Sequence, residues 1–166
     1  MANKFEIFIK DLEALDKFTA YFSQFLRKGD KINLSGDLGV GKTSFVRSLL
    51  RHFLQSPNLE VVSPTFTLVQ YYEKKDFFLV HADLYRLSSA VEVLELDLDS
   101  AAEDGLLLIE WPEKGEPYLI AANIVITFIH ESLGRRLVFE IDDETKRYYD
   151  TASFFEGGPS FFMKEG

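Results

Sequence analysis

Eight consecutive residues, Gly36-Asp37-Leu38-Gly39-Val40-Gly41-Lys42-Thr43, carry the spacing Gly-x-x-x-x-Gly-Lys-Thr. Each residue type has its own reason to be there. Glycines let the backbone curl until several N–H groups point inward at phosphate oxygens. A helix opening directly after such a loop adds its positive N-terminal end. Lys42 places a point charge on the β- and γ-phosphates, and the Thr43 hydroxyl ligates Mg2+. The pattern therefore predicts a nucleoside triphosphate site, with Leu38, Gly39, Val40, Gly41, Lys42 and Thr43 as the cradle.

A carboxylate must complete the magnesium site. Glu110 follows the apolar run Leu106-Leu107-Leu108-Ile109. A buried strand delivers the side chain at its C-terminal end to the edge where a phosphate loop opens. Asp83 ends a second apolar strand and is placed beside it. The attacking water is oriented by Asp83, Glu110 or Thr65, and the sequence does not choose among them. His81, on the Asp83 strand, is read as a packing side chain ahead of a catalytic one. Arg86 is divided between a surface ion pair and a site role. Guanine specificity has no sequence support: Asn3-Lys4 is followed by Phe5-Glu6 rather than by x-Asp, and no Asp has Gly three residues on. ATP is favoured over GTP.

These groups need a scaffold, and the hydrophobic periodicity supplies one. Lys4 to Lys10 alternates and reads as a strand with Phe5, Ile7 and Ile9 on one face. From Asp11 to Arg27, Leu12, Leu15, Phe18, Phe22, Phe25 and Leu26 recur at three- and four-residue steps, one face of a helix with Asp11 as N-cap. Lys31 to Ser35 is a short strand, and Lys42 to Leu54 a helix through Phe45, Leu49, Leu50 and Phe53. Strand, glycine-rich turn and helix thus occur in the order a phosphate loop requires.

Downstream, Phe66 to Glu73 reads as β structure and Phe77 to His81 as a buried strand. Ser88 to Asp104 reads as one or two short helices. Leu106 to Ile109 is a central strand. Asn123 to His130 and Arg135 to Ile141 form a hairpin around Glu131-Ser132-Leu133-Gly134. The fold class expected is α/β: a mixed sheet flanked by helices, with a C-terminal antiparallel hairpin. Residues 1–147 make one domain, and 148–166 an aromatic tail with a short helix at most.

Composition narrows the function. The 166 residues fit one core. With 18 Lys plus Arg against 27 Asp plus Glu, the formal charge is -9, which repels a phosphodiester backbone at long range. Cysteine is absent, which removes disulfides, thiolate nucleophiles and Cys-ligated zinc. No apolar run reaches transmembrane length, and no secretory h-region follows Met1, so a cytoplasmic location is expected.

Four ordered segments carry a family resemblance: the loop 36–43, Ser63-Pro64-Thr65-Phe66-Thr67-Leu68-Val69, His81-Ala82-Asp83-Leu84-Tyr85-Arg86-Leu87, and Ile109-Glu110-Trp111-Pro112. Together they resemble the TsaE (YjeE) family of bacterial P-loop ATPases, over about Asp11 to Arg135. The resemblance implies ATP and Mg2+ as cofactors. It also implies a role in threonylcarbamoyladenosine modification of tRNA, at the adenosine next to the anticodon of ANN-decoding tRNAs. The partners implied are TsaD and TsaB, with tRNA met only through them and turnover slow in isolation. By the same resemblance Lys42 and Thr43 take the P-loop roles and Glu110 the magnesium carboxylate. Thr65 is a switch-like threonine near the γ-phosphate, Asp83 the functional aspartate and Trp111 the tryptophan beside the site. Arg135 and Asp11 would be nucleotide contacts. Ala82 departs from the family, which often has Phe there, and Ala121-Ala122 replace a Pro-containing turn. The alternatives are a small-metabolite kinase and a nucleotide-sensing module in which hydrolysis is incidental.

Overall fold

The computed structural model describes residues 3–146. The expected tail, 148–166, lies outside the described residues.

Seven strands form one mixed sheet: β1 (Asn3–Ile9), β2 (Lys31–Ser35), β3 (Val69–Lys74), β4 (Phe77–Asp83), β5 (Gly105–Glu110), β6 (Ile124–Glu131) and β7 (Gly134–Ile141). Their spatial order is β1-β7-β6-β2-β5-β4-β3. The four inner strands β6, β2, β5 and β4 run parallel. The edges are antiparallel, β1 on β7, β7 on β6 and β3 on β4. The helices are α1 (Leu12–Phe22), α2 (Lys42–Phe53), α3 (Leu98–Glu103) and α4 (Asp143–Lys146), with 3-10 segments at Ala90–Leu96 and Pro112–Gly115. This is the α/β class the periodicity predicts.

Two apolar layers sandwich the sheet. The larger packs α1 and α2 through Phe18, Phe22, Phe45 and Leu49 against Ile32, Leu34, Leu106 and Leu108. The smaller sets Val93, Leu98 and Ala102 against Val80, Ala82, Leu107 and Ile109. Aromatic rings tie the first layer together: Phe18 meets Phe139 edge-on at 5.7 Å and Phe45 meets Phe128 at 5.5 Å. All six residues of β5 are buried, as a central parallel strand requires.

Period-2 alternation then decides which side chains reach which layer. On β4, Leu79, His81 and Asp83 face the α2 side, while Val80 and Ala82 face the other. On β5, Leu106, Leu108 and Glu110 face α2. The register pairs Asp83 with Glu110 and His81 with Leu108. At the C-terminal ends of β4 and β5 the apolar face thus gives way to His81, Asp83 and Glu110, under the start of α2.

Three boundaries differ from the sequence reading. Helix α1 ends at Phe22, not Arg27. Ser23 Oγ donates to the Ala20 carbonyl, and Gln24 and Phe25 make three-residue bonds to Tyr21 and Phe22, which tighten and close the last turn. Phe66 to Leu68 is not strand: Leu68 has φ 66, and its N–H donates to the Pro64 carbonyl at 2.6 Å, so the chain turns before β3 begins at Val69. The hairpin loop is only Ser132-Leu133, because Glu131 and Gly134 are already paired. No helix among the described residues is long and apolar enough to cross a membrane.

Candidate nucleotide site

The loop between β2 and α2 turns back on itself at two glycines with left-handed backbone, Gly39 (φ 77) and Gly41 (φ 107). A side chain at Gly41 would also run into the Arg135 guanidinium. Gly41 caps α2 without a side-chain hydrogen bond, so the helix start faces the loop with its backbone N–H groups unclaimed by a capping side chain. The result is a glycine-rich turn at the start of α2, in the place where the spacing predicts one.

A cleft of about 300 Å³ opens over this loop. One wall is Leu38, Gly39, Gly41, Lys42, Thr43 and Ser44; the other is Ser63, Thr65, Asp83, Tyr85, Glu110 and Trp111. The structure therefore brings together nine of the residues singled out from sequence. Val40 lies beneath, buried, and its carbonyl accepts from Arg135 Nη1 at 2.9 Å, so Arg135 braces the back of the loop. Asp11 does not line this cleft. Its Oδ1 accepts the Ala14 N–H at 2.8 Å as N-cap of α1, and it lines a separate recess with Phe8, Lys10 and Lys17.

Lys42 is buried, and its Nζ donates to the carbonyls of Gly36 and Asp37, the latter at 3.2 Å. It also sits 3.9 Å from the centre of the Trp111 ring. Burial pushes its pKa below the ordinary lysine value, against the pull of the nearby carboxylates, Glu110 foremost. Among the described residues it forms no ion pair. A buried ammonium held only by carbonyls and a ring face is matched to an anion in the cleft.

Thr43 Oγ1 donates to Glu110 Oε1 at 2.9 Å. A hydroxyl has one proton and two lone pairs. With the proton spent on Glu110, the lone pairs are left for a cation. Among the described residues no group of three or more His, Asp or Glu side chains would hold a metal alone. A hard cation here must draw further oxygens from a bound phosphate or water, the usual condition of Mg2+. Both the ammonium and the hydroxyl thus fit a magnesium–nucleotide ligand.

Glu110 is almost fully buried, and its second oxygen, Oε2, lies 2.7 Å from His81 Nε2, itself fully buried. The sequence reading favoured packing over a catalytic role for His81 and named no partner for it. The overlooked signal was alternation: Leu79, His81 and Asp83 share one face, which aims His81 at the β5 carboxylate. Ser63 and Tyr85 were also not singled out as site residues.

Asp83 accepts the Tyr85 N–H on Oδ1 at 3.0 Å and the Thr65 hydroxyl on Oδ2 at 3.3 Å, and Thr65 is 2.7 Å from Ser63 Oγ. Burial raises its pKa above the ordinary carboxylate value, and the Glu110 charge adds to the rise although the Tyr85 N–H opposes it. A carboxyl with a raised folded-state pKa is most favourable to folding below its unfolded value, and that contribution is lost as pH rises through the folded value. Asp83→Asn should therefore raise the thermal midpoint at pH 7 by about 2–4 °C. In a pH series of melts, the gain should vanish below the ordinary value of 3.8. A lower midpoint at pH 7 would contradict this assignment.

Trp111 leaves β5 in the left-handed region, at φ 58, and its N–H donates to the Leu34 carbonyl at 3.3 Å. Pro112 follows and starts the 3-10 turn. A bulky residue held in this conformation is a sign of a functional constraint. Here it lays the indole against both the Lys42 ammonium and the Tyr85 ring, the latter at 4.9 Å.

A family model described as "Threonylcarbamoyl adenosine biosynthesis protein TsaE" matches residues 9–138. The chain belongs to the TsaE family. A Rickettsia conorii protein named tRNA threonylcarbamoyladenosine biosynthesis protein TsaE is 42% identical over 154 residues, 92% of this chain and 87% of that one. The Aquifex aeolicus protein of the same name is 36% identical over 121 residues, 73% of this chain and 86% of that relative. The match to the Rickettsia felis protein of that name, 40% identical, spans 62% of its length. Among solved structures, YdiB of Bacillus subtilis superposes with a TM-score of 0.73, covering 94% of this chain and 98% of that one. At 23% identity that likeness speaks for the fold. The TsaE family match spans β2, α2, β4 and β5, the elements that build the cleft.

Proposed function

We propose that this protein is a Mg2+-dependent ATPase that serves threonylcarbamoyladenosine modification of tRNA in the cytoplasm by driving an assembly of TsaB and TsaD. The observation that carries the reading is the Thr43–Glu110 hydrogen bond beside a glycine-rich loop and a buried Lys42 that forms no ion pair among the described residues. The relatives' names supply the pathway.

Magnesium bound with ATP supplies neutralisation of charge on the β- and γ-phosphate oxygens. The chain's own groups do the rest. Lys42 turns from the Gly36 and Asp37 carbonyls to the phosphates, and the loop N–H groups hold the anion without reorganising. Glu110 keeps the Thr43 lone pairs aimed into the cleft. Asp83, more basic than an ordinary carboxylate, takes the proton of the water that attacks the γ-phosphorus as the bond to the bridging oxygen breaks and ADP leaves, and the Thr65 hydroxyl, which donates to Asp83, holds that carboxylate in place.

Partner dependence has support at the cleft mouth. Leu38 is 70% exposed and Phe66, next to Thr65, 81% exposed, with the Arg86 guanidinium 4.2 Å from the Phe66 ring. Apolar side chains exposed at the rim of a site are an expected feature of a surface that another protein covers. The net charge of -9 supports contact with tRNA through partners rather than directly. The kinase reading would want an arginine lid. The Arg135-Arg136 pair instead lies in β7, with Arg136 paired to Glu6 and Glu131.

The test is ATP hydrolysis by the purified chain, alone and with purified TsaB and TsaD. Turnover should be slow alone and rise at least about tenfold with both partners, as when a trans-acting group completes a P-loop site. A fast rate alone that the partners leave unchanged would overturn the partner-driven reading.

A further inference from the structure

We infer that His81 is a positioning residue for the cation site, acting through Glu110 on Thr43. The inference rests on the reading of Thr43 and Glu110 as the magnesium end of a nucleotide site, and it concerns a residue that touches neither nucleotide nor metal.

The chain of contacts is short and buried. His81 Nε2 lies 2.7 Å from Glu110 Oε2, and Glu110 Oε1 lies 2.9 Å from Thr43 Oγ1. A carboxylate only accepts, so both neighbours donate to it: His81 through Nε2–H and Thr43 through its hydroxyl. Among the described residues the other ring nitrogen of His81, Nδ1, has no hydrogen-bond partner in its buried position. A ring recruited for structure alone would be expected to satisfy both nitrogens. This one makes a single directed bond, to the carboxylate of the site.

The geometry shows what that bond does. Glu110 stands at the end of β5, where the backbone is about to turn through the left-handed Trp111. Its side chain has free torsions and two equivalent oxygens. A second donor on Oε2 fixes the carboxylate plane, so that Oε1 alone faces Thr43. That in turn fixes the Thr43 proton and leaves its lone pairs directed into the cleft. Side chains that orient a metal-site ligand in this way typically change metal affinity by about 10- to 100-fold when removed. Asp83 is the neighbouring carboxylate on the same face, but it only accepts, from Tyr85 N–H and Thr65, and has no proton to donate to Glu110, so it does not replace His81.

The test compares His81→Leu, which fills the space without a donor, with His81→Gln, whose amide N–H reaches about where Nε2 lies. Binding of a non-hydrolysable ATP analogue is followed by calorimetry, in Mg2+ and in EDTA. His81→Leu should lose about tenfold of the Mg2+-dependent affinity and change the EDTA affinity less than about twofold, while His81→Gln restores most of the Mg2+ dependence. Should the leucine variant fail to fold, His81→Asn, polar but too short to reach Glu110, takes its place against His81→Gln. Equal losses in Mg2+ and EDTA, or the same Mg2+ dependence in donor and non-donor variants, would overturn the assignment. If the unaltered chain binds the analogue with no response to Mg2+, the magnesium reading of Thr43 and Glu110 falls, and His81 with it. A normal response that His81→Leu retains removes the His81 role alone.

Discussion

Lys42→Ala lowers partner-stimulated ATP turnover by about 100- to 1,000-fold, the usual effect of removing one preorganised donor from a charge-stabilising site. Lys42 is buried, and burial pushes its pKa below the ordinary value, so the surroundings compensate its charged form less well than water does. Its present partners are the carbonyls of its own loop and the face of Trp111. An incoming phosphate replaces weak partners with a full anion, and this gain is what the alanine removes. The fold should survive, because no ion pair is broken and the apolar contacts of α2 run through Phe45, Val46, Leu49 and Leu50. Steady-state hydrolysis with TsaB and TsaD, beside a thermal melt, checks both halves. Turnover within about threefold of the unaltered chain would remove Lys42 from the chemistry.

Glu110→Gln has an effect of similar size for a different reason. The replacement keeps volume and leaves one acceptor oxygen and one N–H donor. His81 Nε2–H demands the acceptor, so the amide N–H faces Thr43. Thr43 Oγ1 then becomes an acceptor, and its proton swings into the cleft where its lone pairs had been. Every hydrogen bond is formally kept, yet the polarity of the Thr43 hydroxyl is reversed. Turnover should fall by about 100- to 1,000-fold, with the Mg2+-dependent part of nucleotide affinity lost and the thermal midpoint moved by less than about 4 °C. Glu110→Ala behaves otherwise. It leaves the His81 donor buried without a partner, which costs about 1–3 kcal/mol in stability. A thermal melt separates the two variants, and a calorimetric titration in Mg2+ and in EDTA reads the cation site. Unchanged magnesium dependence in Glu110→Gln would take Glu110 out of the cation site.

Much of this cleft was legible along the chain because its parts are local. A glycine at φ 107 must be a glycine, and Lys42 and Thr43 follow it within two residues, so loop, charge and hydroxyl are fixed by spacing alone. The β2–loop–α2 order came from a change of hydrophobic period. Glu110 and Asp83 were legible because each ends an apolar strand. Where the reading slipped, the deciding contact was between neighbouring turns rather than along a pattern. The helix from Asp11 stops at Phe22 because Ser23 bonds back to Ala20, and Phe66 to Leu68 turns because Leu68 closes on Pro64. Periodicity does not see either bond.

The sequence by itself determined the glycine-rich turn between a strand and a helix, the α/β class and the carboxylates that end two apolar strands, since these follow from residue type and short-range spacing. Only the tertiary structure decided how they meet. The parallel register of β4 on β5 sets Asp83 beside Glu110 and turns His81 toward the same carboxylate, across a gap of 29 residues. The return of β7 brings Arg135 behind Val40, 95 residues away, and leaves Asp11 as a helix cap outside the cleft. Such pairings depend on which strands lie side by side, and strand order is a property of the packed core, in which a residue's neighbours are chosen by the whole sheet rather than by its own stretch of chain.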